Sequence, residues 1–246
     1  KLALIQNFMN QGDRARARER VEALLQESPK NRAGLHALAQ LEAQERDPEG
    51  MLDVYTRIST IYPSDLFARY KEGSLLLDKG EGEKVKISAE TMIKEFPDKA
   101  EGHRLMGLYL FRQGKYDEAV VSLQKSIRIQ PDLETYYILG LTYYHQNNLE
   151  MAVTQFQTVL DYAPGFMQAR IMQGEIFLRQ RRGPEAQVVA DKLLENNPQD
   201  FRGHALKADA LILQGKSTEA LAQYAKASEM APSNYGLLVK KGLLML

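Results

Sequence analysis

The residues Gly107–Pro131, GLYLFRQGKYDEAVVSLQKSIRIQP, contain two segments of helical periodicity separated by a glycine. Gly107 lies inside the first segment and Gly114 ends it. Tyr116 and the two acids after it begin the second segment, and Pro131 follows its end. Glycine and proline are the strongest local signals for the end of a helix. The stretch therefore predicts two helices joined by a short turn.

This pattern recurs along the whole chain, with one proline at the same point of each copy. The seven prolines are Pro29, Pro63, Pro97, Pro131, Pro164, Pro198 and Pro232. Their separations are 34, 34, 34, 33, 34 and 34 residues. A fixed period of this length is the signature of a repeat array, in which each copy is one supersecondary unit. Such an array grows by adding copies, so the length of 246 residues does not by itself count domains.

Small residues occupy two further columns of the repeat. The residues 24 positions before each proline are Ile5, Ala39, Gly73, Gly107, Gly140, Gly174 and Ala208. The residues 12 positions before it are Ala17, Met51, Val85, Ala119, Ala152, Ala186 and Ala220. Two helices approach closely only where side chains are short. These columns therefore predict where the two helices of each copy cross.

A third column marks the break between the two helices. It reads Gly12, Arg46, Gly80, Gly114, Asn147, Arg181 and Gly215. Glycine and asparagine accept the left-handed backbone conformation that ends many helices. Each copy thus predicts a helix, a short turn, a second helix and another turn, with helices of about 12 to 14 residues. No segment has the alternation expected of a strand.

Composition restricts the classes of function. Lys plus Arg and Asp plus Glu both number 32, so no net charge favours nucleic acid, and we expect no nucleic-acid partner. The absence of cysteine removes disulfides and thiolate chemistry but leaves the compartment open between the cytoplasm and a bacterial periplasm or envelope. No apolar run is long enough for a direct membrane span. Because the chain begins with Lys1 inside a helix and ends within the partial copy 235–246, we expect a fragment of a longer protein.

Motifs for catalysis or cofactor binding are not convincing in this sequence. Gly215-Lys216-Ser217 matches the end of a phosphate-binding loop, but Ala210 stands where that motif needs its first glycine. The four histidines lie in four different copies, and none forms the i, i+4 pair of a helical zinc site. We therefore predict no catalytic residue, no metal site and no cofactor, and a chain that is not an enzyme.

The 34-residue period, the small residues at the crossings and the closing proline resemble the tetratricopeptide repeat. The resemblance implies an all-α, right-handed α-solenoid of antiparallel helical hairpins, with about seven repeats plus the first helix of an eighth in one array, 1–246. The repeats run approximately over 1–31, 32–65, 66–99, 100–132, 133–166, 167–200, 201–234 and, in part, 235–246. Two departures stand out. Glu42 replaces an apolar core residue, and the family's tryptophan position holds Leu35, Arg69, His103, Tyr136, Arg170 and His204.

The resemblance also implies a location for partner binding. In this family the first helix of each hairpin lines a concave surface on which a protein or peptide partner usually lies. Carried over, the partner-binding residues would be Tyr70, Arg104, Leu108, Phe111, Arg112, Tyr137, Leu141, Tyr144, His145, Ile171, Glu175 and Arg179. Aromatic residues and arginine are enriched at binding hot spots. For Leu108 and Leu141, packing between neighbouring first helices is an equal alternative.

Three hypotheses about function follow from these observations. The first is a non-catalytic scaffold that binds a peptide or partner helix in the concave groove. The second is a regulatory or targeting arm of a larger protein, such as a transferase or a bacterial envelope or polysaccharide-export protein, because the copies are similar in style to those of long bacterial arrays. The third is homo-oligomerisation through the apolar C-terminal helix, which contains Leu237, Leu238, Leu243, Leu244 and Leu246.

Overall fold

The fold was analysed in a computed structural model, which describes residues 1–244. Over these residues the chain forms fifteen α-helices and no strand, so the predicted all-α class is confirmed. Leu246, one of the apolar residues behind the expectation of self-association, lies outside the described residues.

The chain divides into two compact units, and the first comprises Lys1–Pro131. Its helices are α1 (Leu2–Asn10), α2 (Arg14–Glu27), α3 (Arg32–Glu45), α4 (Pro48–Ile61), α5 (Leu66–Asp78), α6 (Gly82–Glu95), α7 (Ala100–Arg112) and α8 (Tyr116–Ile129). Helices consecutive in the chain pack against each other. In addition, α1 packs on α3 and α5 packs on α7. In these two pairs the first helices of successive hairpins are therefore neighbours.

The second unit begins at Asp132. Its helices are α9 (Leu133–His145), α10 (Leu149–Tyr162), α11 (Met167–Arg179), α12 (Gly183–Asn196), α13 (Phe201–Leu213), α14 (Ser217–Met230) and α15 (Tyr235–Leu244). Consecutive helices again pack as antiparallel hairpins, and α11 packs on α13. Both units are thus stacks of helical hairpins, the arrangement that defines an α-solenoid.

Two of the predicted crossings, at Gly107 and Gly140, lie within the hairpin as expected, whereas Gly73 and Gly174 most closely approach a leucine of the following hairpin. A Cβ atom added to Gly107 would lie 2.6 Å from Leu123 Cδ2, and one added to Gly140 would lie 2.7 Å from Phe156 Cε1. Ala119, on the second helix of the same hairpin as Gly107, is fully buried. The two helices of a hairpin approach so closely that no side chain fits between them at this point.

The break column adopts the left-handed conformation that its glycines predict. Gly12, Gly80, Gly114 and Gly215 have φ between 71° and 81°. The three other members have the same conformation, since Arg46 and Arg181 have φ of 59° and Asn147 has φ of 60°. Side chains with a Cβ are strained there, so the two arginines are held in the turn by the helices on either side.

Several residues at the family's tryptophan position form the same kind of hydrogen bond to the backbone. Three of them donate a hydrogen bond to the carbonyl oxygen of the proline that closes the preceding repeat. The pairs are Arg69 with Pro63 at 3.4 Å, Arg170 with Pro164 at 2.6 Å and His204 with Pro198 at 3.1 Å. The turn between repeats is thereby tied to the helix that follows it.

Glu42, the charged residue in an apolar core column, is buried and compensated by an arginine. Arg18 Nη1 donates to Glu42 Oε1 at 3.0 Å, and Arg18 Nη2 donates to Glu45 Oε2 at 2.8 Å. The two carboxylates raise the pKa of the Arg18 guanidinium. The departure from the family pattern is therefore accommodated by an ion pair between α2 and α3.

Replacing Gly107 by leucine should destabilise the first unit, because even a Cβ meets Leu123. We expect a loss of about 1 to 3 kcal/mol in the free energy of unfolding, measured by urea denaturation. Gly165→Leu is the matched control, since a Cβ at Gly165 meets no atom within 4 Å. Equal stability of the two variants would show that the crossing does not limit packing.

Replacing Arg181 by glycine should stabilise the second unit, because it relieves a positive φ without removing a buried side chain. The expected gain is about 0.5 to 1 kcal/mol, or a rise of about 1 to 4 °C in Tm. The reciprocal variant Gly215→Arg, in the same column, should lower Tm by a similar amount. A fall in Tm for Arg181→Gly would contradict this account of the turn.

Candidate functional site

In the first unit, the residues carried over from the family lie on α5 and α7, and three of them are largely buried. Tyr70 on α5 is 1% exposed, while Leu108 and Arg104 on α7 are 8% and 9% exposed. The Arg104 guanidinium lies 5.2 Å from the centre of the Tyr70 ring. A cation over an aromatic face is attracted to it, so this pair contributes to the packing of α5 on α7. The burial of Leu108 favours the alternative given for this leucine, packing between neighbouring first helices.

The other two predicted residues of the first unit are more accessible. Phe111 is half-buried, and its ring centre lies 6.0 Å from that of Tyr116. Arg112 is exposed and forms an ion pair with Asp78 of α5, with 2.6 Å between Nη2 and Oδ1. These contacts restrict both side chains, and Arg112 remains exposed.

In the second unit, Tyr137 is half-buried and held by aromatic neighbours. Its ring centre lies 5.7 Å from that of Phe156 on α10 and 5.2 Å from that of Phe166, which precedes α11. Burial raises the pKa of its phenol, and the negative charge of Glu175 raises it further. Tyr137 is therefore packed against two aromatic rings and is close enough to Glu175 to sense its charge.

Tyr144 lies at the other end of α9 and joins it to α11. The Arg179 guanidinium lies 5.4 Å from the centre of the Tyr144 ring, and the His145 ring packs edge-on against it at 5.7 Å. Arg179 and His145 are exposed, while Tyr144 is half-buried. The contact fixes the direction of the arginine and leaves its donors accessible.

Between these two tyrosines, α9 and α11 contribute aliphatic and acidic side chains. Leu141 and Ile171 are half-buried, and Ile171 packs against the apolar cluster that contains Val189 and Leu206. Glu175 is exposed, yet the surrounding helices remove enough water to raise its pKa, an effect opposed by the positive charge of Lys240. The second unit thus presents aromatic, aliphatic and charged groups together.

A charged network on the following helices was missed by the sequence reasoning. Lys240 Nζ on α15 lies 3.0 Å from Oδ1 and 2.8 Å from Oδ2 of Asp209 on α13. The hydroxyl of the buried Tyr224 on α14 donates to the same carboxylate. The repeat register could have pointed to Asp209, because this residue occupies the same position of its repeat as Glu175. Asp209 lies 23 residues before Pro232, and Glu175 lies 23 residues before Pro198.

The first unit contains a second unforeseen cluster, centred on the buried carboxylate of Asp65. Oδ2 of Asp65 lies 2.8 Å from Arg32 Nε and 2.7 Å from His36 Nε2, while Oδ1 accepts from the amide of Ala68. Burial opposes ionisation of this carboxyl, but the hydrogen bonds outweigh it and lower its pKa. The cluster joins α3 to the start of α5 and so has a structural explanation.

Residues suited to metal or phosphate chemistry do not come together in the part of the chain that the structure describes. Among residues 1–244, no three side chains of His, Asp or Glu are grouped as metal ligands would be. Gly215 and Lys216 form the turn between α13 and α14, and α13 leads into them where a phosphate-binding loop would need a strand. No helix within the same residues has the length and hydrophobicity that crossing a bilayer requires.

Comparison with family models identifies the fold as that of the tetratricopeptide repeat. One model of this repeat matches residues 2–65, 137–190 and 171–235, and a second, described as TPR repeat, matches residues 107–146. The matches cover more than half of the chain, which therefore belongs to the tetratricopeptide repeat family.

Among curated proteins, the chain is similar to human protein O-mannosyl-transferase TMTC3. The two are 24% identical over 175 residues, which is 68% of this chain and 19% of the human protein. The chain thus spans about a fifth of the length of that relative.

Solved structures of low sequence identity share the fold. The structure of the APC/C hetero-tetramer Cut9–Hcn1 has a TM-score of 0.77 at 14% sequence identity. The match covers 98% of this chain and 48% of the chain in that structure. YrrB, described as a TPR protein with an unusual peptide-binding site, has a TM-score of 0.63 at 17% identity and covers 76% of this chain and 97% of its own. A tetratricopeptide repeat protein from Parabacteroides merdae has a TM-score of 0.66 at 17% identity, over 100% of this chain and 97% of its own.

Proposed function

We propose that the chain is a non-catalytic protein-binding scaffold, and that the first-helix surface of the second unit binds an extended segment or a helix of a partner protein. The observation that carries the proposal is the state of Tyr137 and Tyr144. Both are half-buried, and packing against fixed neighbours holds them in place. Side chains that are ordered before binding lose little entropy on binding, which favours affinity.

The chemistry of this surface supports a protein partner. It combines tyrosine and arginine with the aliphatic Leu141 and Ile171, a composition typical of interface hot spots. YrrB, which shares the fold, is described as having a peptide-binding site. In the first unit, Tyr70 and Arg104 are occupied with packing, so Phe111 and Arg112 are the residues there that we propose touch a partner.

A second proposal concerns a larger parent protein. The similarity to an O-mannosyl-transferase, of which the chain spans 19%, favours a partner-binding arm attached to a catalytic domain. The complete coding sequence distinguishes the two proposals. A catalytic domain in the same reading frame supports the arm, whereas an uninterrupted array supports the scaffold alone.

Removal of both tyrosine rings should weaken peptide binding. A peptide selected from a random twelve-residue display library on the intact chain should bind at least about tenfold more weakly to the double variant Tyr137→Ala, Tyr144→Ala, measured by fluorescence polarisation. Tyr162→Ala is the matched control, because Tyr162 is 73% exposed on the second helix of its hairpin. Unchanged affinity of the double variant, with helicity intact by circular dichroism, would overturn the assignment of this surface.

Self-association through α15 is a further proposal, because this helix exposes apolar side chains. Tyr235, Leu238, Val239 and Leu243 are 80%, 42%, 59% and 69% exposed. If two copies bury this face against each other, Leu243→Glu should reduce the mass measured by light scattering to that of one chain, since the charge would be desolvated in the interface. Ile87→Glu, at a residue 62% exposed on α6, should leave the mass unchanged. A single-chain mass for the unaltered protein would refute self-association.

A further inference from the structure

Equivalent positions of successive repeats differ in how their carboxylates are neutralised. Asp209 stands 23 positions before Pro232, on the first helix of its hairpin. Its carboxylate is neutralised within the chain, because Lys240 reaches it from α15 at 2.8 Å and the Tyr224 hydroxyl donates to it from α14. The fold thus contains one complete example of a carboxylate that receives a basic side chain at this position.

Glu175 occupies the same position one repeat earlier, but its internal partners have been replaced. The residues 34 positions before Lys240 and Tyr224 are Leu206 and Ala190, and neither can donate a hydrogen bond from its side chain. Leu206 instead packs on Gly174, where an added Cβ would lie 2.4 Å from Leu206 Cδ2. Within residues 1–244, no hydrogen bond or ion pair reaches the carboxylate of Glu175.

The groups around Glu175 make it a receptor for a cation. Glu175 lies at the surface, so an external group can approach it. Tyr137 is near enough for the charge of Glu175 to raise the pKa of its phenol, so an aromatic side chain lies close to the carboxylate. The nearby cations are already engaged, since Lys240 is bound to Asp209 and Arg179 lies over Tyr144.

Restricted access of water strengthens this expectation. Burial by the neighbouring helices raises the pKa of Glu175, and the positive charge of Lys240 opposes this effect only in part. A poorly solvated carboxylate gains more from a cation than one in bulk water does, because the attraction is less screened. The gain is greatest for a group that can donate a charge-assisted hydrogen bond, as the side chains of lysine and arginine do.

We propose that Glu175 receives a lysine or arginine side chain of the bound partner, in the manner in which Asp209 receives Lys240. The partner segment is therefore basic at the point where it crosses α11. This inference rests on the proposed function, because it specifies the chemistry of the segment bound on the second unit.

The test uses two small probes that differ only in charge. N-acetyl-arginine amide and its uncharged analogue N-acetyl-citrulline amide are titrated into the isotope-labelled full chain and followed by amide chemical shifts. The arginine probe should shift resonances of α9 and α11 around Tyr137 and Glu175 and bind about tenfold more tightly than the citrulline probe. Glu175→Gln should abolish this difference, whereas the matched control Glu195→Gln, at an exposed residue of α12, should retain it.

Two results would overturn the inference. One is equal binding of the arginine and citrulline probes to the unaltered chain. The other is an arginine preference that persists in Glu175→Gln. If either occurs while the display-selected peptide still depends on Tyr137 and Tyr144, only the role of Glu175 is refuted. If that peptide is also insensitive to both tyrosines, the proposed binding surface fails as well.

Discussion

The close approach of two helices at a glycine is the constraint on which the rest of each unit depends. At Gly107 the second helix of the hairpin passes so near that a Cβ would collide with Leu123. Gly174 is similarly enclosed, by Leu206 of the following hairpin. Because these contacts fix both the depth and the register of packing, they determine which residues of a first helix face outward. The candidate binding residues of the second unit lie on first helices whose orientation is set in this way, as the contact of Arg179 on α11 with Tyr144 on α9 illustrates.

Much of the fold could be predicted from the sequence because its determinants are local. The proline period, the small residues at the crossings and the glycines at the breaks each specify a backbone conformation or a distance of approach. The left-handed conformation of Arg46 and Arg181 follows from their column and not from their chemistry. The position that holds tryptophan in the family could also be located from the repeat period. The hydrogen bond from Arg170 to the Pro164 carbonyl could not be foreseen, because it depends on the direction of the side chain.

The candidate site was less predictable, since side-chain direction depends on partners several helices away. The family pattern places Tyr70 and Arg104 on a binding surface, but the contact between them leaves both largely buried. Asp209 and Lys240 are 31 residues apart, and no local motif joins them. Glu175 could be located by its register, but the sequence does not reveal which side chains reach that position. Lys240 and Tyr224 bond to Asp209, and their counterparts one repeat earlier, Leu206 and Ala190, have no side-chain donor for Glu175.

The contact between a first helix and the preceding proline carbonyl bears on how such an array changes length during evolution. The bond from Arg170 spans only six residues, so it lies wholly within one junction. The bonds from Lys240 to Asp209 and from Arg32 to Asp65 span 31 and 33 residues, within one period of the repeat. A duplicated segment one period long therefore contains its own turn and its own helix crossing. It also contains the hydrogen bonds that join it to the next repeat. Insertion or deletion of a copy leaves distant junctions unaltered, so the number of repeats can drift while each hairpin keeps its structure.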